Sequence, residues 1–124
     1  MPSKITVHPV YSSKKESEIV KLCKYHFVDR LNFSGVQYDT ILFVSTVLNE
    51  AIKRLDTKQS AIVTLADTCQ PKSFDISTIE KHTDEFLHHL MERKISVMLF
   101  EYIKTLLKSA ISVLEKSFYT SIKS

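Results

Sequence analysis

The stretch "KRLDTKQSAIVT", residues 53–64, decides how this 124-residue chain is organised. It fits the middle of one uninterrupted helix, and it also fits the end of a helix followed by a turn at Asp56-Thr57. The flanking residues bear on this choice, because apolar residues recur at steps of three and four along one helix face. Such a stripe runs through the stretch, with Gln59 as its polar member: Ile41, Val44, Leu48, Ile52, Leu55, Gln59, Ile62, Ala66 and Cys69.

The stripe keeps its phase from Ile41 to Cys69, and neither glycine nor proline marks a turn within it. We therefore expect a continuous second helix from about Asp39 to about Cys69, roughly 45 Å long. Two alternatives stay open. In the first, the helix breaks at Asp56-Thr57 and Thr57 caps a separate helix. In the second, residues 60–66 form a buried strand.

The segment before the first helix is short and β-like. Its apolar residues alternate with polar ones, and Pro9 cannot donate to a sheet ladder, so any strand here would lie at an edge. We expect residues 1–12 to form a short extended arm that packs on the domain or on a partner. Ser13 and Glu16 then have the spacing of a capping box, which predicts the start of a first helix.

The C-terminal half is predicted to be helical. Pro71 fixes a loop, and the apolar periodicity beyond it predicts helices over about 77–91 and 95–118. The sequence thus predicts an all-α fold of about four helices with one very long second helix and an extended N-terminal arm. Residues 13–124 would form a single helical domain, which is an ordinary size for one core.

Glycine content argues against most enzyme classes. Gly35 is the one glycine in the chain, whereas loops that cradle phosphate groups need several. Counting therefore excludes the GxGxxG and GxxxxGK[ST] patterns, and the GxSxG nucleophile elbow is also absent. We predict a non-enzyme that needs no cofactor.

Cysteine usage and hydropathy bear on the compartment. Cys23 and Cys69 form neither a CxxC pair nor a disulfide framework, which is typical of a reducing compartment. No segment has about eighteen consecutive apolar residues, so we expect no membrane span. The expected location is intracellular, in the cytoplasm or the nucleus.

The predicted fourth helix carries two adjacent apolar stripes, which is wider than one core contact requires. A single small domain cannot easily cover this surface as well as the long second helix, so we expect another protein chain, a second copy or a different subunit, to cover it. The predicted partner interface consists of Leu99, Phe100, Ile103, Leu107, Ile111, Leu114 and Phe118.

Charge distribution gives an alternative partner. The whole net charge of +3 lies within residues 1–30. A solvated surface explains this excess, and so does attraction to a phosphate backbone, which basic side chains hold without reading sequence. The candidate nucleic-acid contacts are Lys14, Lys15, Lys21, Lys24, Lys53, Arg54 and Lys58.

A metal site is the third hypothesis. His82, Glu85 and His89 lie at steps of three and four, so they share one helix face, and imidazoles with a carboxylate can ligate zinc. No HExxH pattern is present, and a fourth ligand would have to come from elsewhere. The alternative is a polar, solvated face whose histidines titrate near neutral pH.

The order of predicted helix lengths resembles the histone-fold family. A medium helix over 13–31, the loop "NFSGVQY", a very long helix over 39–69, the loop "QPKSFDIS" and a short helix over 77–91 follow one another. The resemblance implies a handshake dimer with a partner chain and a role in chromatin or transcription assemblies. The second loop carries no Arg, where DNA-contacting members of that family often have one.

Overall fold

Four helices and a two-stranded antiparallel sheet make up the fold. A computed structural model describes residues 3–123, except for the side chain of Lys123. The chain is mostly helical, as predicted. In chain order the elements are β1 (Lys4–Val7), α1 (Lys14–Phe33), α2 (Tyr38–Lys53), β2 (Ala61–Thr64), α3 (Ser73–Glu92) and α4 (Val97–Lys123).

The prediction of a very long second helix is wrong. Helix α2 ends at Lys53, and Asp56 adopts a φ of 69°, which no helix residue can have. The left-handed region is sparsely allowed, and aspartate is one of the few non-glycine residues that tolerate it. The chain then turns and enters β2, so the helix ends close to the break that the first alternative placed at Asp56-Thr57 and a strand follows as in the second, although β2 covers only Ala61–Thr64 and is only partly buried.

The burial of residues in and next to β2 shows why the helical periodicity led to a wrong prediction for this segment. Val63 and Leu65 are buried, whereas Ile62 is 61% exposed. One face of a small antiparallel sheet stays in solvent, and a β-branched residue such as Ile62 fits that face. The stripe predicted for one helix therefore combined buried α2 residues with Gln59 and Ile62, which are both exposed.

The predicted N-terminal arm forms strand β1 and belongs to the domain. Ile5 pairs with Val63 of β2, and Val7 pairs with Ala61. The side chains of Ile5 and Val7 are both buried. Farther along, Val10 bridges Leu55, with the Val10 N–H donating to the Arg54 carbonyl oxygen at 3.2 Å. The N-terminal segment thus fixes the turn that ends α2.

The helices pack into one core beneath the sheet. Helix α1 contacts α2 and α3, while α4 contacts α2, α3 and β1. Phe27 of α1 meets Phe86 of α3 with ring centroids 5.3 Å apart. Because α4 is covered by helices and also by β1, its two apolar stripes are both used inside the chain.

Backbone-capping residues set the helix ends. The predicted capping box is present, since the Glu16 N–H donates to Ser13 Oγ and Glu16 reaches back to the Ser13 N–H. Gly35 ends α1 with a φ of 82°. The buried Asp75 carboxylate accepts hydrogen bonds from the N–H groups of Lys72 and Gln37, at 2.9 and 3.2 Å, and so joins the starts of α3 and α2.

Over the described residues, none of the helices is long and apolar enough to cross a membrane.

Candidate functional site

The predicted interface on the fourth helix lies in the chain's own core. Phe100 and Phe118 are half-buried against that core, and the other five side chains are buried. A partner could cover them only if the domain opened. The surface for a partner therefore has to be sought elsewhere, and the buried members of the set are Leu99, Ile103, Leu107, Ile111 and Leu114.

Several of the candidate nucleic-acid contacts are engaged within the chain. Lys53 and Arg54 both pair with Glu50, at 3.7 and 3.2 Å. Lys24 donates to Asn49 and lies 4.9 Å from the centre of the Tyr25 ring. The remaining members are exposed at separate places: Lys14, Lys15 and Lys21 on α1, and Lys58 in the turn before β2.

The predicted histidine face is not uniformly solvated. His82 is only 8% exposed, and its Nδ1 lies 3.3 Å from Glu85 Oε2. The His89 side chain forms no hydrogen bond with His82 or Glu85, and no cluster of three metal-ligating side chains occurs among residues 3–123. The structure therefore brings two of the three predicted metal ligands, His82 and Glu85, together as a hydrogen-bonded pair, and His89 is not part of it.

A hydroxyl completes this pair. Ser34 Oγ lies 3.0 Å from His82 Nε2, so a serine, an imidazole and a carboxylate follow one another in hydrogen-bonded order. The hydrogen bond from His82 lowers the pKa of Glu85, and the charges of His82 and Arg30 lower it further. Sequence analysis missed this array because Ser34 and His82 are 48 positions apart and carry no motif.

The array resembles a nucleophilic triad in its order of groups, but the backbone N–H groups of Ser34 and the two residues after it already have acceptors and cannot form an oxyanion hole. The N–H groups of Ser34, Gly35 and Val36 all donate to carbonyl oxygens in the last turns of α1. None of the three is left to stabilise a developing negative charge. The geometry supports a structural joint between the end of α1 and the middle of α3.

A groove runs between β1 and α4, with a volume of about 950 Å³. Lys4, Thr6 and His8 line one wall, and the exposed side of α4 lines the other. The α4 residues include Glu101, Tyr102, Lys108, Ser112 and Lys116. A second cavity of about 330 Å³ shares Val113 and Lys116 with it and continues past Ser3 toward Cys69.

The backbone of β1 presents its outer edge to this groove. The Leu65 N–H donates to the Ser3 carbonyl oxygen at 2.7 Å, which makes Ser3 and Leu65 a hydrogen-bonded pair. Hydrogen-bonded and non-hydrogen-bonded pairs alternate in an antiparallel ladder. Lys4 and Thr6 therefore form non-hydrogen-bonded pairs with their partners in β2. Their N–H and C=O groups point away from β2.

The next residue of that alternation, His8, shows where the outer edge faces. Its carbonyl oxygen accepts a hydrogen bond from the Tyr102 hydroxyl of α4. The outer edge of β1 is therefore directed toward α4, and the Tyr102 side chain lines the groove beside His8. Burial raises the pKa of Tyr102 to about 12, which keeps its hydroxyl protonated as a donor, although the Arg54 charge acts in the opposite direction.

Comparison with known protein families, curated proteins and solved structures found no match. The helix lengths that carried the resemblance to the histone-fold family include a second helix of about thirty residues, whereas α2 has 16. The functional conclusion therefore depends on the chain's own geometry, in which the groove offers accessible, unpaired binding groups.

Proposed function

We propose that this chain is a non-enzymatic protein–protein interaction subunit, and that a partner chain in a larger assembly occupies the groove between β1 and α4. The observation that carries the proposal is the unpaired outer edge of β1. The N–H and C=O groups of Lys4 and Thr6 point into a groove instead of toward a third strand. Unpaired strand edges are templates for pairing with another chain.

The groove also offers side-chain surface. Its lining combines apolar groups such as Ile5 and Leu106 with polar and charged groups from α4. Met98, at the start of α4, is 69% exposed and lines the same groove. A mixed apolar and polar surface beside a free strand edge is what binding of a peptide segment requires, because the backbone supplies affinity and the side chains supply specificity.

The chemistry of the described residues supports a non-catalytic role. The N–H groups of Ser34, Gly35 and Val36, beside the Ser34–His82–Glu85 array, already donate to carbonyl oxygens and do not serve as oxyanion donors. Burial raises the pKa of both the Cys23 and Cys69 thiols, and a thiol is a weak nucleophile while it stays protonated.

The alternative function is backbone-directed DNA binding. Lys14, Lys15 and Lys21 on the exposed side of α1 favour it, whereas the pairing of Lys53 and Arg54 with Glu50 weighs against it. Titration with duplex DNA at about 50 and about 200 mM salt discriminates. Binding that weakens steeply with salt supports the alternative, and absence of binding at the lower salt concentration rejects it.

Affinity isolation of the full chain, followed by quantitative mass spectrometry, tests the proposed function. Ser112→Trp places a large side chain in the groove, and Ser77→Trp makes the same change on the exposed face of α3. We expect a stoichiometric partner whose recovery falls about tenfold with Ser112→Trp and is unchanged with Ser77→Trp. Recovery of no partner, or equal recovery with both variants, would reject the proposal.

A further inference from the structure

The outer edge of β1 has the geometry to accept one more strand. Lys4 and Thr6 each present an N–H and a C=O group to the groove, and neither residue's backbone has a partner among the described residues. A peptide in extended conformation would lie about 4.8 Å from β1 and exchange two hydrogen bonds with each of these residues. Helix α4 forms the opposite wall of the groove.

We propose that the groove binds an extended, acidic peptide segment of the partner chain, which adds to β1 as a third strand. This inference specifies the ligand of the proposed function and rests on it.

Charge on the groove walls favours an acidic occupant. Lys4, Lys108 and Lys116 line the groove, whereas Glu101 is its one lining carboxylate. Complementary charges across an interface steer the partner and reject peptides of the wrong sign.

The spacing of the two α4 lysines matches that of an extended chain. Lys108 and Lys116 are eight residues apart on α4, which corresponds to about 12 Å along the helix axis. Two residues that are four positions apart in an extended peptide are separated by about 13 Å. Their side chains point to the same side, because successive side chains alternate between the two faces of a strand. We therefore expect acidic residues four positions apart in the ligand.

Apolar residues line the groove between these charges. Ile5 and Val113 are buried members of the core that also border it, together with Leu106. The side chains of an added strand that point toward the domain would meet this apolar surface. The expected ligand therefore alternates between small apolar residues and acidic or polar ones.

A second copy of the chain fits this edge less well. Pairing of two β1 edges in a symmetric dimer would bring the two Lys4 side chains and the two lysine-lined walls together. Like charges facing each other across paired strands are destabilising. Charge thus favours a partner of opposite sign over self-association.

A proline substitution isolates the contribution of the strand edge. The Thr6 N–H points away from β2, so Thr6→Pro removes a donor from the outer edge and keeps the β1–β2 ladder. The preceding residue, Ile5, is already extended, as a residue before proline prefers. Thr6→Ala is the matched control, because it changes the side chain and retains the N–H.

The test begins with the full chain and a displayed library of random peptides about ten residues long. We expect selected peptides to be acidic and to alternate apolar with polar residues, and calorimetry with synthetic copies should show binding about tenfold weaker to Thr6→Pro than to Thr6→Ala. Selection of basic or helical peptides, selection of none, or equal binding to both variants would overturn the inference.

The double variant Lys108→Glu/Lys116→Glu gives a second test that does not depend on β1. It should weaken binding of the selected acidic peptides about tenfold, and unchanged binding would overturn the acidic assignment. A concentration-dependent dimer that Thr6→Pro abolishes in sedimentation would instead make a second copy the occupant. If affinity isolation recovers a partner equally with Thr6→Pro and Thr6→Ala, the proposed function stands and this inference fails.

Discussion

The Tyr102 hydroxyl donates a hydrogen bond to the His8 carbonyl oxygen and so joins α4 to the segment that follows β1. The two residues are 94 positions apart in the chain. Because His8 continues the alternation of Lys4 and Thr6, this bond shows that the unpaired edge of β1 faces α4. It also leaves the groove open toward Lys4, where the charged residues of α4 lie opposite the strand edge.

Replacing Tyr102 by Phe should reduce the loss of stability in alkali. Burial raises the pKa of Tyr102 from its ordinary value of 10.0 to about 12. The folded chain therefore holds this proton more tightly than the unfolded chain does, and the resulting stability is present below pH 10 and lost as the pH rises toward 12. At neutral pH the lost hydrogen bond should cost about 1 kcal/mol.

Urea unfolding across this pH range measures the effect. Tyr38→Phe is the control, because Tyr38 is 72% exposed and its replacement should leave the pH profile unchanged. An alkaline loss of stability in Tyr102→Phe as steep as in the unaltered chain would contradict the assignment.

Replacing Glu16 by Gln should reduce the loss of stability in acid. The Ser96 N–H, which donates to Glu16 Oε2 at 2.7 Å, lowers the pKa of Glu16 most, and the Ser13 N–H lowers it further. A lowered carboxyl pKa contributes stability above the ordinary value of 4.5, and that stability is lost as the pH falls through the folded-state pKa.

Thermal unfolding between neutral pH and about pH 3 tests Glu16→Gln. The variant should be less stable at neutral pH, by about 1 kcal/mol, and should lose less stability on acidification. Glu18→Gln, on the exposed side of the same helix, is the control. Identical acid profiles for Glu16→Gln and the unaltered chain would show that the contact with Ser96 contributes nothing.

Truncation of His82 should destabilise the fold without affecting ligand binding in the groove. Its ring is buried and bonded on both sides, to Ser34 and Glu85, so His82→Ala leaves a small cavity and unpaired groups. We expect a cost of about 2 kcal/mol, measured by urea unfolding. His88→Ala, at a largely exposed position, should change stability by less than about 0.5 kcal/mol. Equal effects would argue against the joint between α1 and α3.

Asp56→Gly distinguishes the observed turn from the helix that the sequence favoured. Glycine adopts positive φ without the steric cost that Asp56 bears at 69°, so the substitution should stabilise the chain by up to about 1 kcal/mol. In a continuous helix the same change would destabilise by about 0.3 kcal/mol, because glycine is a poorer helix former than aspartate. Asp56→Val should destabilise the chain in either case, and a lower melting temperature for Asp56→Gly would contradict the turn.

Local interactions explain which parts of the fold could be predicted. The capping box of Ser13 and Glu16 depends on residues within a few positions of each other, and it is present as predicted. The turn at Asp56 was an alternative and not the preferred prediction, because Val10, far away in sequence, holds it in place, with the Asp56 N–H donating to the Val10 carbonyl oxygen. Tertiary hydrogen bonds of this kind leave no periodic signal.

The site was less predictable than the fold. The doubled apolar stripe of α4 predicted a partner interface, because periodicity could not show that β1 of the same chain covers the second side. The alternation of Ile5 and Val7 was visible in the sequence, and so was the basic character of Lys108 and Lys116. Only the pairing of β1 with β2 shows that these features meet at one groove.

Amide hydrogen exchange in β1, measured by NMR, tests the account most directly. In the free chain the Ile5 and Val7 amides should be protected at least about tenfold more than those of Lys4 and Thr6, because only the former pair donates to β2. Addition of a selected acidic peptide should then protect Lys4 and Thr6. Two results would contradict the account: a Thr6 amide that is as well protected as the Ile5 amide in the free chain, or a Thr6 amide whose protection does not change when the peptide binds.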